Sequence, residues 1–210
     1  KHKAIPTSLD YQGYPACICA SINDEVVHGI PAEDVIIRDG DVVSIDVTLS
    51  LDGWQADSAF TVGVGDITPE KRRLIDVTEM CFFKGVRQAI VGNHIGDIGN
   101  AVQTFAESNG FGVIRDLTGH GIGRSMHEDP SVPNFGRAGH GTKLRPGMTI
   151  CVEPMICMGD YHVSQLDDGW TIVTDDGSCA AHYEHTIVIN EHGLPELLTY
   201  PGYVLTEETE

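Results

Sequence analysis

The sequence predicts an α+β fold in a single domain, residues 1–210, made of two β-rich halves with helices between them. Three observations carry that prediction. Gly40-Asp41-Val42-Val43-Ser44-Ile45-Asp46 alternates apolar and polar residues like a half-buried strand and ends in an acid. Gly147-Met148-Thr149-Ile150-Cys151-Val152-Glu153 repeats the pattern, with its acid again six residues after the glycine. Between them lie two stretches with helical periodicity and helix-start signals.

In chain order, the first strand pattern leads to an Asp52-Gly53-Trp54 turn and a further acid, Asp57. The 11-residue separation of Asp46 and Asp57 suits a hairpin that brings both acids to one end of a site. Thr68-Pro69-Glu70 supplies an N-cap, a first-turn proline and an early acid for a helix reaching about Val91. A second helix is expected from Asp97 to Ser108, with Ile98, Ala101, Val102 and Phe105 on one face and Asn109-Gly110 as its stop. After the second strand pattern, Tyr161 to Ile189 reads as further strands, with an Asp168-Gly169-Trp170 turn followed by Glu184. The paired strand–turn–acid patterns suggest a diverged internal duplication with halves of approximately 1–110 and 111–210.

Composition narrows the function classes. The 210 residues carry 31 acids against 13 bases, a net charge of −18, which argues against general binding to DNA or to an anionic membrane. Hydrophobic content of 41 % with 24 glycines and 10 prolines describes a loop-rich globular chain. The six cysteines form no C-x-x-C pair, so reduced thiols in a cytoplasmic protein are expected, with Cys17 and Cys19 as buried structural thiols. No apolar run approaches a membrane span.

Asp46, Asp57, His120, Glu153 and Glu184 read together as the ligand set of a two-metal hydrolytic site. Four carboxylates and one imidazole are hard ligands, better suited to paired Mn²⁺, Fe²⁺ or Co²⁺ than to a thiolate-bound zinc. An inward acid among buried valines costs several kcal/mol unless a cation or a proton compensates it. His120 lies in Thr118-Gly119-His120-Gly121-Ile122-Gly123, where flanking glycines remove bulk and permit unusual dihedrals. A phosphate loop is the competing reading, but the G-K-[ST] ending is absent. His182 and His185 flank Glu184; strand alternation turns His185 to the opposite face, and neither is assigned. His2, His94, His140, His162 and His192 are expected in loops or at the surface. Trp54 is expected to be a packing residue.

These residues carry a family resemblance. Tyr14-Pro15, Ser21-Ile22-Asn23 through Val27-His28-Gly29-Ile30-Pro31, Ile45-Asp46-Val47-Thr48, Gly119 to Gly123, Glu153-Pro154-Met155, Asp168-Gly169-Trp170 and Tyr183-Glu184-His185-Thr186 resemble the type I methionine aminopeptidases. That group belongs to the pita-bread (creatinase/aminopeptidase) metallopeptidase superfamily. The resemblance implies a pseudo-two-fold β-sheet with helices on its outer face. It implies two divalent ions (Co, Mn, Fe, Zn or Ni), with Asp46 on one, Asp57 and Glu184 bridging, and His120 and Glu153 on the other. Glu153 would accept the proton of an attacking metal-bridging hydroxide's parent water, and His28 and His127 would lie beside the substrate as catalytic groups. Tyr11, Tyr14, Cys19, His28, Met126, His127 and Trp170 would bind the substrate, the sulfur- and aromatic-rich members lining a methionine pocket. The implied activity removes the initiator methionine from nascent polypeptides with a small second residue, by a cytoplasmic monomer, with room for transient ribosome association.

Two departures and two alternatives accompany the resemblance. Family members carry N-terminal helices before the Tyr14-Pro15 region, so the chain is expected to be an N-terminally truncated form. Loss of a helix pair from the first half would uncover apolar sheet surface. The acidic stretches Gln165 to Asp168 and Thr174 to Asp176 stand where relatives often carry a basic residue. The alternatives are another pita-bread peptidase of the Xaa-Pro aminopeptidase type and a catalytically silent binding protein with the same fold.

Overall fold

A computed structural model describes residues 3–206; His2 lies outside the described residues. The first half contains β1 (Ile5–Pro6), β2 (Cys19–Ile22), β3 (Glu25–Val27) and the long hairpin β4 (Val42–Leu51) and β5 (Trp54–Gly63). Two helices follow, α1 (Pro69–Val86) and α2 (Ile95–Ser108). Next come β6 (Gly112–Val113), β7 (Gly119–Gly121), β8 (Glu128–Val132), β9 (Thr149–Val152) and β10 (Met155–Cys157). The chain closes with β11 (Val163–Gln165), β12 (Ile172–Thr174), β13 (Ala180–His182), β14 (Glu184–Val188) and β15 (Glu196–Leu197).

The hairpin forms where the sequence places it. Asp52 and Gly53 both adopt positive φ, 53° and 77°, the geometry that a two-residue turn between twisted strands requires. Thr68 caps α1 by accepting from the Lys71 N–H, with Pro69 in the first turn. α1 ends at Val86 rather than near Val91, and its last turn tightens into Gln88 N–H to Gly85 and Ala89 N–H to Val86 carbonyl bonds. α2 begins at Ile95, two residues before the expected start, because His94 and Asp97 make a reciprocal cap.

The main sheet has nine strands, with the path β1-β4-β5-β14-β9-β7-β8 and with β2 on β4 and β15 on β14. Its midline is the β5–β14 junction, Glu184 opposite Ala59 and His185 opposite Ser58. About that line β4 corresponds to β9 and β5 to β14, so the duplicated strand patterns occupy matching places. The two Asp-Gly-Trp turns do not match. The first closes β4 onto β5, whereas the second joins β11 to β12 in a separate three-stranded sheet with β3. Trp54 is 56 % exposed beneath the Arg124 guanidinium, 3.8 Å from its ring centre, so it packs at the surface and not in the core.

The helices cover one half of the outer face. Phe82, Phe83, Val86 and Ile98 pack with Ile150, Val152, Ile187 and Ile189. A second cluster joins Leu74, Val77, Cys81 and Val102 to Val42, Ile156 and Ala181. The outer face of β5 has no such cover: Phe60 and Val62 are 48 % and 42 % exposed. Of the cysteines only Cys17 is exposed, against expectation; Cys19, Cys81, Cys151, Cys157 and Cys179 are buried, and all six are free thiols.

Candidate metal centre

Strand register assembles the candidate ligands on two adjacent rungs of the main sheet. On one rung, Cys19 lies opposite Asp46, Asp46 opposite Ala59, and Ala59 opposite Glu184. Glu153 is the next residue of β9's register past the Val152–His185 pair, which sets it beside Glu184. On the other rung, Thr48 faces Asp57, and Thr186 faces Cys151. The Asp57 N–H donates to the Thr186 hydroxyl (3.1 Å), which donates back to the Asp57 carbonyl (2.9 Å). A one-residue slip in any of these strands would turn its acid to the outer face, so the buried outer core of β9 and β14 holds the site in register.

His120 enters from β7, where a Cβ on Gly119 would collide with the Cys151 carbonyl and one on Gly121 with the Asp129 carbonyl. Neither glycine takes positive φ, so lack of bulk, not unusual dihedrals, is their use here. His120 Nδ1 donates to the Gly121 carbonyl (2.8 Å), which fixes the ring and aims Nε2 at the acids. Nε2 lies 3.6 Å from Glu153 Oε1 and 3.8 Å from Asp57 Oδ2.

The donor atoms fit a cation. Asp46 Oδ1, Asp57 Oδ1, Glu153 Oε1, Glu184 Oε1 and His182 Nε2 are buried with no hydrogen-bond partner. Separations of 3.6–3.9 Å are too long for hydrogen bonds. They suit ligands sharing an ion at about 2.0–2.2 Å each. No lysine or arginine lines the cleft to neutralise the acids. Burial pushes Asp46 up to about 6. Burial, then the charges of its carboxylate neighbours, holds Asp57, Glu153 and Glu184 well above the usual range. Burial lowers His120 to about 4 and His182 to about 3, leaving neutral rings with a free lone pair.

The acids form the floor of a cleft of about 470 Å³. Every residue expected at the site lines it: Tyr11, Tyr14, Cys19, His28, Asp46, Asp57, His120, Met126, His127, Glu153, Trp170 and Glu184. Tyr14 is pinned through its hydroxyl, which donates to the Gly29 carbonyl (2.9 Å), and its ring meets Trp170 edge-on at 5.1 Å. Asp168 holds the turn that presents Trp170, accepting from the Trp170 and Thr171 N–H groups. His28 sits in left-handed backbone, φ 60°, a conformation uncommon for histidine. The Tyr11 hydroxyl meets His127 Nδ1 at 2.7 Å, and the His127 ring lies 4.3 Å from His120's.

Residues 1–191 match the model of metallopeptidase family M24. A methionine aminopeptidase of Clostridium acetobutylicum is 50 % identical over 199 residues, 95 % of this chain and 79 % of that relative. The chain belongs to metallopeptidase family M24, among its methionine aminopeptidases. The crystal structure of the Rickettsia prowazekii methionine aminopeptidase superposes on this M24 chain with a TM-score of 0.91 at 48 % identity, over 94 % of this chain and 79 % of that one. The fold is therefore the α+β pita-bread fold. A prolidase from Pyrococcus horikoshii shares that fold at a TM-score of 0.70 and 23 % identity, over 90 % of this chain and 49 % of that one. Membership of the M24 metallopeptidases implies divalent-metal binding, and the cleft holds residues that could provide it. His182, left unassigned from sequence, lines it too; the alternation that removed His185 places His182, two residues before Glu184, on Glu184's own face.

Proposed function

We propose that the cleft removes an N-terminal methionine from peptides with a small second residue, and that its residues divide the work as follows. Asp46, Asp57, His120, Glu153 and Glu184 hold two divalent ions; four carboxylate charges against two 2+ ions balance, in a cleft lined by no lysine or arginine. When bound, such ions lower the pKa of water and polarise a carbonyl. Glu153 accepts the proton of the attacking water and returns it to the leaving amine. His127 faces the scissile carbonyl: the Tyr11 hydroxyl lies 2.7 Å from Nδ1, and in the tautomer in which that hydroxyl donates, Nε2 carries the proton that would be given to the developing oxyanion. His28 lies on the other wall against Trp170, at 6.3 Å between rings, and orients the substrate. Tyr14, Cys19, Met126 and Trp170 supply a soft apolar wall for the methionine thioether.

The observation that carries this reading is the set of orphaned, buried carboxylate oxygens around His120, in a chain half identical to methionine aminopeptidases. The Xaa-Pro alternative has only the shared fold behind it. No helix among the described residues is long and apolar enough to cross a membrane. We assign the protein to the cytoplasm, where nascent chains emerge, with transient ribosome contact. We read residues 1–210 as one catalytic domain acting as a monomer. Hydrolysis of Met-Ala-Ser against Ala-Pro-Ala, with Mn²⁺ or Co²⁺ and an Asp57→Ala control, tests the proposal. Cleavage of the methionyl peptide alone, lost in the control, is expected; preference for Ala-Pro-Ala would overturn it.

A further inference from the structure

The floor of the cleft holds a second imidazole that the ligand set above leaves unused. His182 is 2 % exposed, and its Nε2 is buried without a hydrogen-bond partner. That atom lies 3.7 Å from Glu153 Oε2 and 3.9 Å from Glu184 Oε2. A ring tied to either carboxylate by a hydrogen bond would sit nearly 1 Å closer. A ring with no polar role would not point its nitrogen at two acids in a buried site.

The placement is built, not incidental. The Thr61 hydroxyl donates to the His182 carbonyl (2.7 Å) and accepts from the His182 N–H (2.9 Å), locking that backbone to β5. Ser44, across from Thr61 on β4, bonds the same hydroxyl at 2.8 Å. Met155 lies opposite His182 on β10, is 1 % exposed, and lines the cleft beside it. The His182 Nε2 spacings, 3.7 and 3.9 Å to Glu153 and Glu184, are close to those of the His120 Nε2, 3.6 and 3.8 Å to Glu153 and Asp57, with Glu153 common to both.

We infer that His182 is a further protein ligand of the metal centre, completing with Glu153 and Glu184 a nitrogen–oxygen–oxygen set on the side of Glu153 away from His120. The inference rests on the metal-centre reading and deepens it. A second imidazole softens an otherwise carboxylate-rich site, so it shifts preference from Mn²⁺ toward Co²⁺, Fe²⁺ and Zn²⁺.

The test compares wild type with His182→Gln, which keeps size and polarity and loses the imidazole. Calorimetric titration with Co²⁺ and with Mn²⁺, together with the visible absorption of the Co²⁺ form, provides readouts that do not depend on turnover. The variant is expected to bind one Co²⁺ about tenfold or more weakly. Its Mn²⁺ affinity should fall by less, and its Co²⁺ absorption band should change in intensity. Unchanged Co²⁺ affinities and an unchanged band would overturn the inference. So would an equal loss for both metals with an unchanged band, which is what a residue that only positions Glu153 produces. Wild type that binds no divalent ion would overturn the metal centre itself, a distinct outcome. Metal-free melting curves establish folding; if His182→Gln does not fold, His182→Ala with added imidazole serves, and return of the wild-type band with imidazole is the supporting result.

Discussion

The two halves of the main sheet make an instructive pair. Each gives two carboxylates to the cleft, yet one pair comes from adjacent strands and the other from strands some thirty residues apart. Asp46 and Asp57 are diagonal neighbours on a single hairpin with a two-residue turn. Glu153 and Glu184 come together only because β14 inserts between β5 and β9. Their outer faces differ as well: α1 seals β9 and β14 with Phe82 and Phe83, while Phe60 and Val62 on β5 face outward. The inner face is thus set by what the chemistry needs, and the outer face by what packs against each half. Equivalent strands keep their chemistry without keeping equivalent support.

The largest effect tests whether the halves are equal partners in catalysis. Asp57→Asn and Glu184→Gln occupy matching places about the midline, and each should lower kcat/KM for Met-Ala-Ser about a thousandfold or more, with loss of bound metal by elemental analysis. A variant that kept its activity would break the correspondence between halves. Next, His127→Ala should lower kcat by about 100-fold while metal content stays at the wild-type level. Loss of both ions in that variant would place His127 among the ligands instead.

Packing should separate the halves by stability. Phe82→Ala on the sealed side should cost about 3–5 kcal/mol in denaturant unfolding of the metal-free chain. Phe60→Ala on the open side should stay within about 0.5 kcal/mol. Equal costs would mean that the β5 outer face is covered in solution.

A further effect is a pH dependence of the metal-free protein. Folded Asp46 titrates at about 6, above the ~3.9 of an unfolded aspartate, so its charge costs stability above pH 6 and nothing below about pH 4. Metal-free Asp46→Asn should therefore be more stable than metal-free wild type at pH 7.5, by up to about 3 kcal/mol, and the advantage should fade toward pH 4. An advantage independent of pH would show that desolvation of this carboxylate is not its cause.

Much of the site is legible in the amino-acid order alone, for a local reason. The period-two pattern puts Asp46 on the inner face, Asp52-Gly53 sets the hairpin register, and two glycines announce close backbone packing at His120, although in a strand and not in the expected turn. The same locality misleads at the second Asp-Gly-Trp, where an identical tripeptide closes a different sheet. It also hides Cys17, whose exposure follows from a loop path that no periodicity marks.

By itself, then, the sequence determined the strand faces, the hairpin, the helix caps and the residue types of the cleft. Each depends on backbone preferences and side-chain alternation over a few residues. Only the tertiary structure decided that β5 pairs with β14 and that His182 points at Glu153 and Glu184. Those outcomes follow from long-range contacts: β5 and β14, more than a hundred residues apart, share rungs of one sheet, and Val42 shares a core with Ile156 and Ala181. A local pattern can say which face an acid occupies; the packed sheet says what it will find there.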